Sequence, residues 1–218
     1  MKKFGLLGKE ISHTKSPEVY KSLLNNEYFS YELFDYQDET KIDLNEIFTQ
    51  VNFLNITAPY KEYALKHCGE IVGEARFGIN CMKKVKNTLV GFNSDFLALK
   101  ELLDHYKAGY EKHILLGDGV MAKILLQLNP NFTQFSRRKK NLHLYSEAIV
   151  DQKTLVVNAC ARNFIPDRSV SLVYRLWDLN YSQPYEKTFI ANECVDYISG
   201  ISLLEIQAQH ALDFFTQE

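Results

Sequence analysis

The chain has no C-x-x-C pair. Its four cysteines, Cys68, Cys81, Cys160 and Cys194, lie far apart, and with six scattered histidines they offer no zinc-ligand spacing. We therefore expect no metal, and thiols that are buried or idle in a reducing cytoplasm. Also missing is any run near the ~20 apolar residues that a membrane span requires. Met1-Lys2-Lys3 begins like a signal peptide, but the apolar stretch after it stops at Gly8-Lys9-Glu10, too short for a hydrophobic core of one. An excess of one charge is lacking too: the net charge is −2, so no global field draws nucleic acid or an anionic membrane. Repeats, low-complexity tracts and long linkers are absent. What is present is globular, with 46% hydrophobic and 24% charged residues over 218 positions, room for one large domain or two small ones. The expectation is a soluble cytoplasmic protein, a monomer or homodimer, whose partner is a small molecule.

Strand-like and helix-like stretches alternate. Residues 3–8 read as a short buried strand ending at glycine, and Ser16 can cap a helix that carries Pro17 in its first position. Residues 31–36 alternate as a half-buried strand does, residues 43–50 read as a helix, and residues 51–55 as the next strand. Two short extended pieces, 79–82 and 88–91, suggest a hairpin with the basic segment Lys83-Lys84-Val85-Lys86-Asn87 near its turn. A helix from 96 to about 106 presents Leu97, Leu99, Leu102, Leu103 and Tyr106 on a broad face, with Asp95 at its N-terminus. After Lys107-Ala108-Gly109 a new unit starts: strand 113–116, a helix to about 128, then strands at 132–135, 154–158 and 173–178, and a last helix from 201 to about 215. This alternation predicts an α/β fold built from βαβ units. The expected domains are 1–97, an open, mostly parallel sheet joined by a C-terminal helix (200–218) packing back on it, and 98–199, a reduced Rossmann-like domain.

Chemistry concentrates at Asn55-Ile56-Thr57-Ala58-Pro59-Tyr60-Lys61. Residues two apart on an extended chain point the same way, so Asn55 and Thr57 share a face, and Lys61 follows where Pro59 turns the chain. That is a cradle for a small hydroxylated molecule with one amine placed to move a proton; a plain strand-to-helix turn with a solvated lysine is the alternative. A second signal is Gly117-Asp118-Gly119-x-x-Ala122, with the spacing and strand–turn–helix context of a dinucleotide loop. Nineteen positions past Gly117, where NAD binders carry an acid, stand Ser136 and then Arg137, Arg138, Lys139 and Lys140. Basic side chains there suit a 2′-phosphate and favour NADP.

Gly8, His13-Thr14-Lys15-Ser16-Pro17, Asn55-x-Thr57-x-Pro59-x-Lys61, Gly78-x-Asn80, Gly91-x-Asn93-x-Asp95, Asp178-x-x-Tyr181 and Gly200-x-x-x-Leu204-x-x-Gln207-Ala208 follow one another in that order. Together they resemble the shikimate dehydrogenase family, enzymes that reduce 3-dehydroshikimate with NADPH. The resemblance implies that Lys61 and Asp95 form a catalytic pair. It implies that Thr14 (where the family has serine) and Ser16 hold the substrate carboxylate, and that Asn55, Thr57, Asn80, Asp95 and Gln207 bind ring hydroxyls. Tyr181 would lie near the carboxylate and the nicotinamide, and substrate would sit in a cleft between the domains. Departures from the family pattern are Ser94 within Asn93-Ser94-Asp95, Asp118 and Val120 in the glycine loop, Asn158-Ala159-Cys160-Ala161-Arg162, and a short stretch between Ser136 and Asn158 that implies a trimmed helix. An NAD-dependent quinate/shikimate dehydrogenase and a shikimate-binding relative without turnover are the alternatives.

Overall fold

The structure, a computed structural model, describes residues 1–25, 27–148, 151–160, 164, 174–180 and 195–217. The chain divides into two compact units: Met1–Ala98 with Leu204–Glu218, and Leu99–Leu203.

In the first unit, strands β1 (Lys2–Gly8), β2 (Phe29–Asp35), β3 (Phe53–Ile56), β4 (Glu70–Val72), β5 (Cys81–Val85) and β6 (Thr88–Phe92) form one sheet in the order β2-β1-β3-β5-β6-β4. β1 runs parallel to β2 and β3, and β4 parallel to β6, while β5 is antiparallel to β3 and β6. Helices α1 (Ser16–Leu23), α2 (Leu44–Gln50) and α3 (Lys61–Lys66) connect the strands. The two-residue period of β3 shows how the sheet is sandwiched. Leu54 and Ile56 pack with Leu7, Phe34 and Ile47 on one face, and Phe53 joins Phe4 and Phe215 on the other. Phe4 centres an aromatic cluster, with ring centroids 4.9 Å from Tyr20, 5.2 Å from Phe53 and 6.1 Å from Phe215. Such tilted contacts add to what apolar burial alone provides.

Three local expectations are corrected. Ser16 is the first helical residue of α1 rather than its cap; Lys15 holds the cap position without a side-chain bond. The Thr14 side chain takes over the turn, accepting from the Ser16 backbone N–H at 3.2 Å. The basic segment is mostly strand, not turn: β5 continues through Val85, and Lys86, at φ 55°, makes the turn. Lys83 is drawn into the sheet because its ammonium donates to the backbone oxygens of Phe214 (2.8 Å) and Gln217 (2.6 Å), where the C-terminal end of a helix favours a cation. Leu97 is 37% exposed and leaves the apolar face to Ala98, Leu99, Leu102 and Leu103. The edge strand β4 carries no alternation and went unanticipated; all three of its residues are exposed.

In the second unit, β7 (Lys112–Leu116), β8 (Thr133–Phe135), β9 (Thr154–Asn158), β10 (Tyr174–Asp178) and β11 (Val195–Ile198) pair in parallel throughout, in the order β11-β10-β9-β7-β8. Leu115, Leu116, Leu155, Val156 and Val157 are wholly buried, as expected of parallel strands covered on both faces. The chain order reverses between β7 and β9, the switch point at which doubly wound sheets bind ligands. α5 (Val120–Leu128) connects β7 to β8. Between β8 and β9 the described residues hold only a six-residue 3₁₀ helix, Leu142–Glu147. Two helices pass from one unit to the other along the chain: α4 (Ser94–Tyr106) and α6 (Ile201–Thr216). Among the described residues no helix is long and apolar enough to cross a membrane.

Candidate active site

Lys61 opens α3 just after the cis Ala58-Pro59 peptide that follows β3. Its Nζ lies 2.6 Å from Asp95 Oδ2, and the two side chains are only 13% and 3% exposed. Two backbone features hold them together. Gly78 sits at φ +138°, and a Cβ there would come within 3.1 Å of the Lys61 carbonyl carbon and oxygen, so only glycine lets the segments meet. Beside it, the Ile79 N–H donates to Lys61 O at 3.1 Å. Asn93 caps α4 instead of Asp95: its Oδ1 accepts from Phe96 N–H at 3.1 Å, while its Nδ2 donates to Gly78 O at 2.7 Å. With the cap supplied by Asn93, the Asp95 carboxylate is available to the lysine.

Asn80, 5% exposed, is hydrogen-bonded to Ser94, the neighbour of Asp95 in sequence. Its Oδ1 accepts from Ser94 N–H (2.8 Å), and its Nδ2 donates to Ser94 Oγ (2.9 Å) and Gln207 Oε1 (3.2 Å). Gln207 therefore arrives from α6, 127 positions later in the chain. Asn55, opposite Cys81 in the β3–β5 register, is gripped at both ends: Oδ1 accepts from Tyr20 Oη at 2.9 Å, and Nδ2 donates to Tyr31 Oη at 3.1 Å. Burial, with Tyr31 next, raises the Tyr20 hydroxyl well above its ordinary value, so it stays a donor and fixes which way the amide points. Burial also pushes the Cys81 thiol up to about 12, keeping it protonated 3.4 Å from Asn80 Oδ1 and 3.5 Å from Ser94 Oγ.

Thr57 follows β3, its backbone N–H donating to Leu7 O at 2.9 Å. Gly8 makes room for it, since a Cβ there would meet Thr57 Cγ2 at 2.5 Å. Thr14 donates its hydroxyl to Ser16 Oγ at 3.1 Å, so those two predicted residues form a hydroxyl pair at the start of α1. Tyr181 lies outside the described residues. Tyr20, Tyr31, Gly78, Asn93 and Ser94 are organising residues that the sequence reading did not name as part of the site; the glycine and asparagine stood within its motifs, but the tyrosine contacts carry no spacing signal.

In the second unit the glycine loop lies at the switch point. Gly117 has φ +109°, and a Cβ would come within 2.6 Å of Ala159 O, the residue after β9. Gly119 caps α5 without any side-chain bond, and nothing stands within 4 Å of where its Cβ would be. Ala122 is wholly buried under the first turn of α5. A helix N-terminus with an open glycine is suited to a phosphate. Ser136 is buried and shapes the next loop, its Oγ accepting from Lys139 N–H at 3.1 Å and its N–H donating to Asn141 Oδ1 at 2.9 Å. Arg137 and Arg138 are exposed. These donors fit a phosphorylated nucleotide, with one opposing charge: Asp118 Oδ2 accepts from the Arg138 N–H at 3.3 Å. Among the described residues no three His, Cys, Asp or Glu side chains gather as metal ligands would.

Residues 6–79 match the family model described as the shikimate dehydrogenase substrate binding domain. The shikimate dehydrogenase (NADP(+)) of Clostridium botulinum strain Loch Maree is 27% identical, with 95% of this chain and 94% of that protein aligned. In sequence, the chain is thus similar to shikimate dehydrogenases. A second relative, the shikimate dehydrogenase (NADP(+)) of Caldicellulosiruptor saccharolyticus, is 34% identical over 56% of this chain and 48% of its own length. The fold extends further than the identity does. Shikimate dehydrogenase 1 from Peptoclostridium difficile superposes with a TM-score of 0.75 at 21% identity, covering 99% of this chain and 92% of that one. The shikimate 5-dehydrogenase of Thermus thermophilus, solved in complex with NADP(H) and shikimate, gives 0.72 at 23% identity, covering 99% and 94%. The chain thus shares the two-domain α/β fold of these structures, and among the described residues the short stretch between β8 and β9 holds a 3₁₀ turn where a trimmed helix was expected.

Proposed function

We propose that the chain is a cytoplasmic NADP-dependent shikimate dehydrogenase, a monomer or homodimer, reducing 3-dehydroshikimate to shikimate. The observation that carries this reading is the enclosed Lys61–Asp95 pair, 2.6 Å apart beside a polar network that includes Asn80 and Gln207. In this reading the first unit binds substrate and the second binds the nucleotide. NADPH, when bound, supplies the hydride that the carbonyl carbon accepts. The carbonyl oxygen then gains charge and must receive a proton, and Lys61 Nζ is the cation that polarises that oxygen. Asp95 Oδ2 fixes the ammonium in place and accepts the hydrogen bond of the hydroxyl in the reverse direction. Gln207, with its Oε1 committed to Asn80, meets a ring hydroxyl through its Nε2 donors. Asn55, Thr57 and Asn80 complete the hydroxyl side. The Thr14 and Ser16 hydroxyls, at an α1 N-terminus with no side-chain cap, receive the substrate carboxylate.

The exposed Arg137 and Arg138 after β8 support NADP over NAD. The test is formation of reduced nicotinamide from shikimate with each cofactor, for wild type and Lys61→Ala, alongside shikimate binding by calorimetry. Turnover should fall by about 10²–10⁴-fold in Lys61→Ala while shikimate still binds. Wild type that binds shikimate and turns over with neither cofactor would overturn the enzyme reading in favour of a binding protein.

A further inference from the structure

Asp118 stands between the two glycines of the loop at the β7/β9 switch point, where a carboxylate is the least expected side chain. It faces the start of the basic loop. Oδ2 accepts from Arg138 N–H at 3.3 Å, and Oδ1 lies 3.9 Å from Arg138 Nε. We propose that Asp118 is an internal anion competing with a nucleotide 2′-phosphate for Arg138, and that it thereby sets how strongly this chain discriminates NADP from NAD. The proposal rests on the nucleotide-binding reading of the second unit.

Three observations support it. First, Arg138 lies just beyond β8, the place where dinucleotide folds distinguish a ribose hydroxyl from a phosphate. Second, the two loops are tied together. Gln134 Nε2 donates to Gly117 O at 2.7 Å, and Asn141 Nδ2 donates to Gln134 O at 3.0 Å. Asn141 Oδ1 and Ser136 Oγ fix the intervening turn, and Lys140 adopts φ 55°. The carboxylate is therefore placed by the fold, not by a wandering side chain. Third, the two partners differ in freedom: the Asp118 side chain is 29% exposed and that of Arg138 79%. The guanidinium can swing to a phosphate while the carboxylate stays beside it. A 2′-phosphate would then approach a fixed like charge, whereas a 2′-hydroxyl could donate to the same carboxylate. Asp118 and the basic run thus act in opposite directions on the same group.

The experiment is a calorimetric titration of adenosine 2′,5′-bisphosphate and of 5′-AMP into the whole protein. It uses wild type, Asp118→Asn, Arg138→Gln and the double variant, with folding checked by thermal melting. Asp118→Asn should tighten the bisphosphate about five- to tenfold and leave 5′-AMP within about twofold. Arg138→Gln should weaken the bisphosphate more in the Asp118→Asn background than in wild type, because the guanidinium is no longer shared. Asp118→Ser takes the place of Asp118→Asn if the latter does not fold. If the bisphosphate binds but its ratio to 5′-AMP is the same with and without Asp118, this proposal falls and the nucleotide reading stands. If neither ligand binds any folded variant, both fall.

Discussion

The polar groups of the two units are organised on opposite plans. In the first unit the charged and amide groups of the candidate site are answered by one another or by hydroxyls: Lys61 by Asp95, Asn80 by Ser94 and Gln207, Asn55 by Tyr20 and Tyr31. The network is enclosed, and it is drawn from strand ends, a hairpin and two helices, so a rigid scaffold sets its geometry. In the second unit the basic side chains sit on an exposed loop after β8, and the opposite charge beside Arg138 is a carboxylate of the chain itself. The difference teaches where sequence change is tolerated. An enclosed, mutually satisfied set loses several bonds with any one member, whereas loop residues at a sheet edge can be exchanged one at a time.

The largest effect that would sharpen this contrast comes from Asp95→Ala. It takes from the mostly enclosed Lys61 the carboxylate that answers its charge, and should cost about 3–5 kcal/mol of stability in urea unfolding. Adenosine 2′,5′-bisphosphate binding should be unaltered; a loss of that binding in still-folded protein would break the division of labour between the units.

Two glycines offer a matched pair of intermediate size. Gly78→Ala and Gly117→Ala each place a side chain at positive φ against another segment's backbone, Lys61 in one unit and Ala159 in the other. Each should destabilise by about 1–3 kcal/mol. Functionally they should separate: Gly78→Ala abolishes shikimate binding and spares the nucleotide, and Gly117→Ala does the reverse. Calorimetry with both ligands reads the outcome, and a common loss of both in either variant would show that the units are not independent.

The smallest effect is in thiol chemistry. Cys81 is fully buried and raised to about 12, while Cys160, half-buried just after β9, is raised to about 11. Burial is the main cause in both, with Arg137 pulling Cys160 back down. At a fixed alkaline pH below either value the thiolate fraction is larger for Cys160, so alkylation followed by peptide mapping should label it at least about tenfold faster than Cys81. Equal rates would remove the contrast in enclosure.

Much of the frame was legible in the chain. The strand at β7, the helix α5 and the basic loop are consecutive in sequence, and local periodicity together with glycine placement is enough to read them. The Lys61–Asp95 pairing was legible only through the family resemblance carried by the order of the motifs. Long-range commitments were not legible. Nothing in spacing reveals that Tyr20 and Tyr31 engage both ends of Asn55, or that Asn93 relieves Asp95 of capping α4. Ser16 looked like a cap because Ser-Pro often begins a helix, but Thr14, two residues earlier, competes for the same turn. Lys83 and Lys84 looked like turn residues because the partner that draws Lys83 into β5 is 131 positions away.

That Lys83 contact, with Phe215 stacked on Phe53 at 5.0 Å, also bears on how the molecule is made. A ribosome delivers the chain from the N-terminus, yet the first unit lacks Gln207, Phe214 and Phe215 until residue 215 has emerged. The second unit, residues 99–203, is complete before then. During synthesis the first unit is therefore completed only after the second, and one face of its aromatic cluster waits without its cover while the later unit folds.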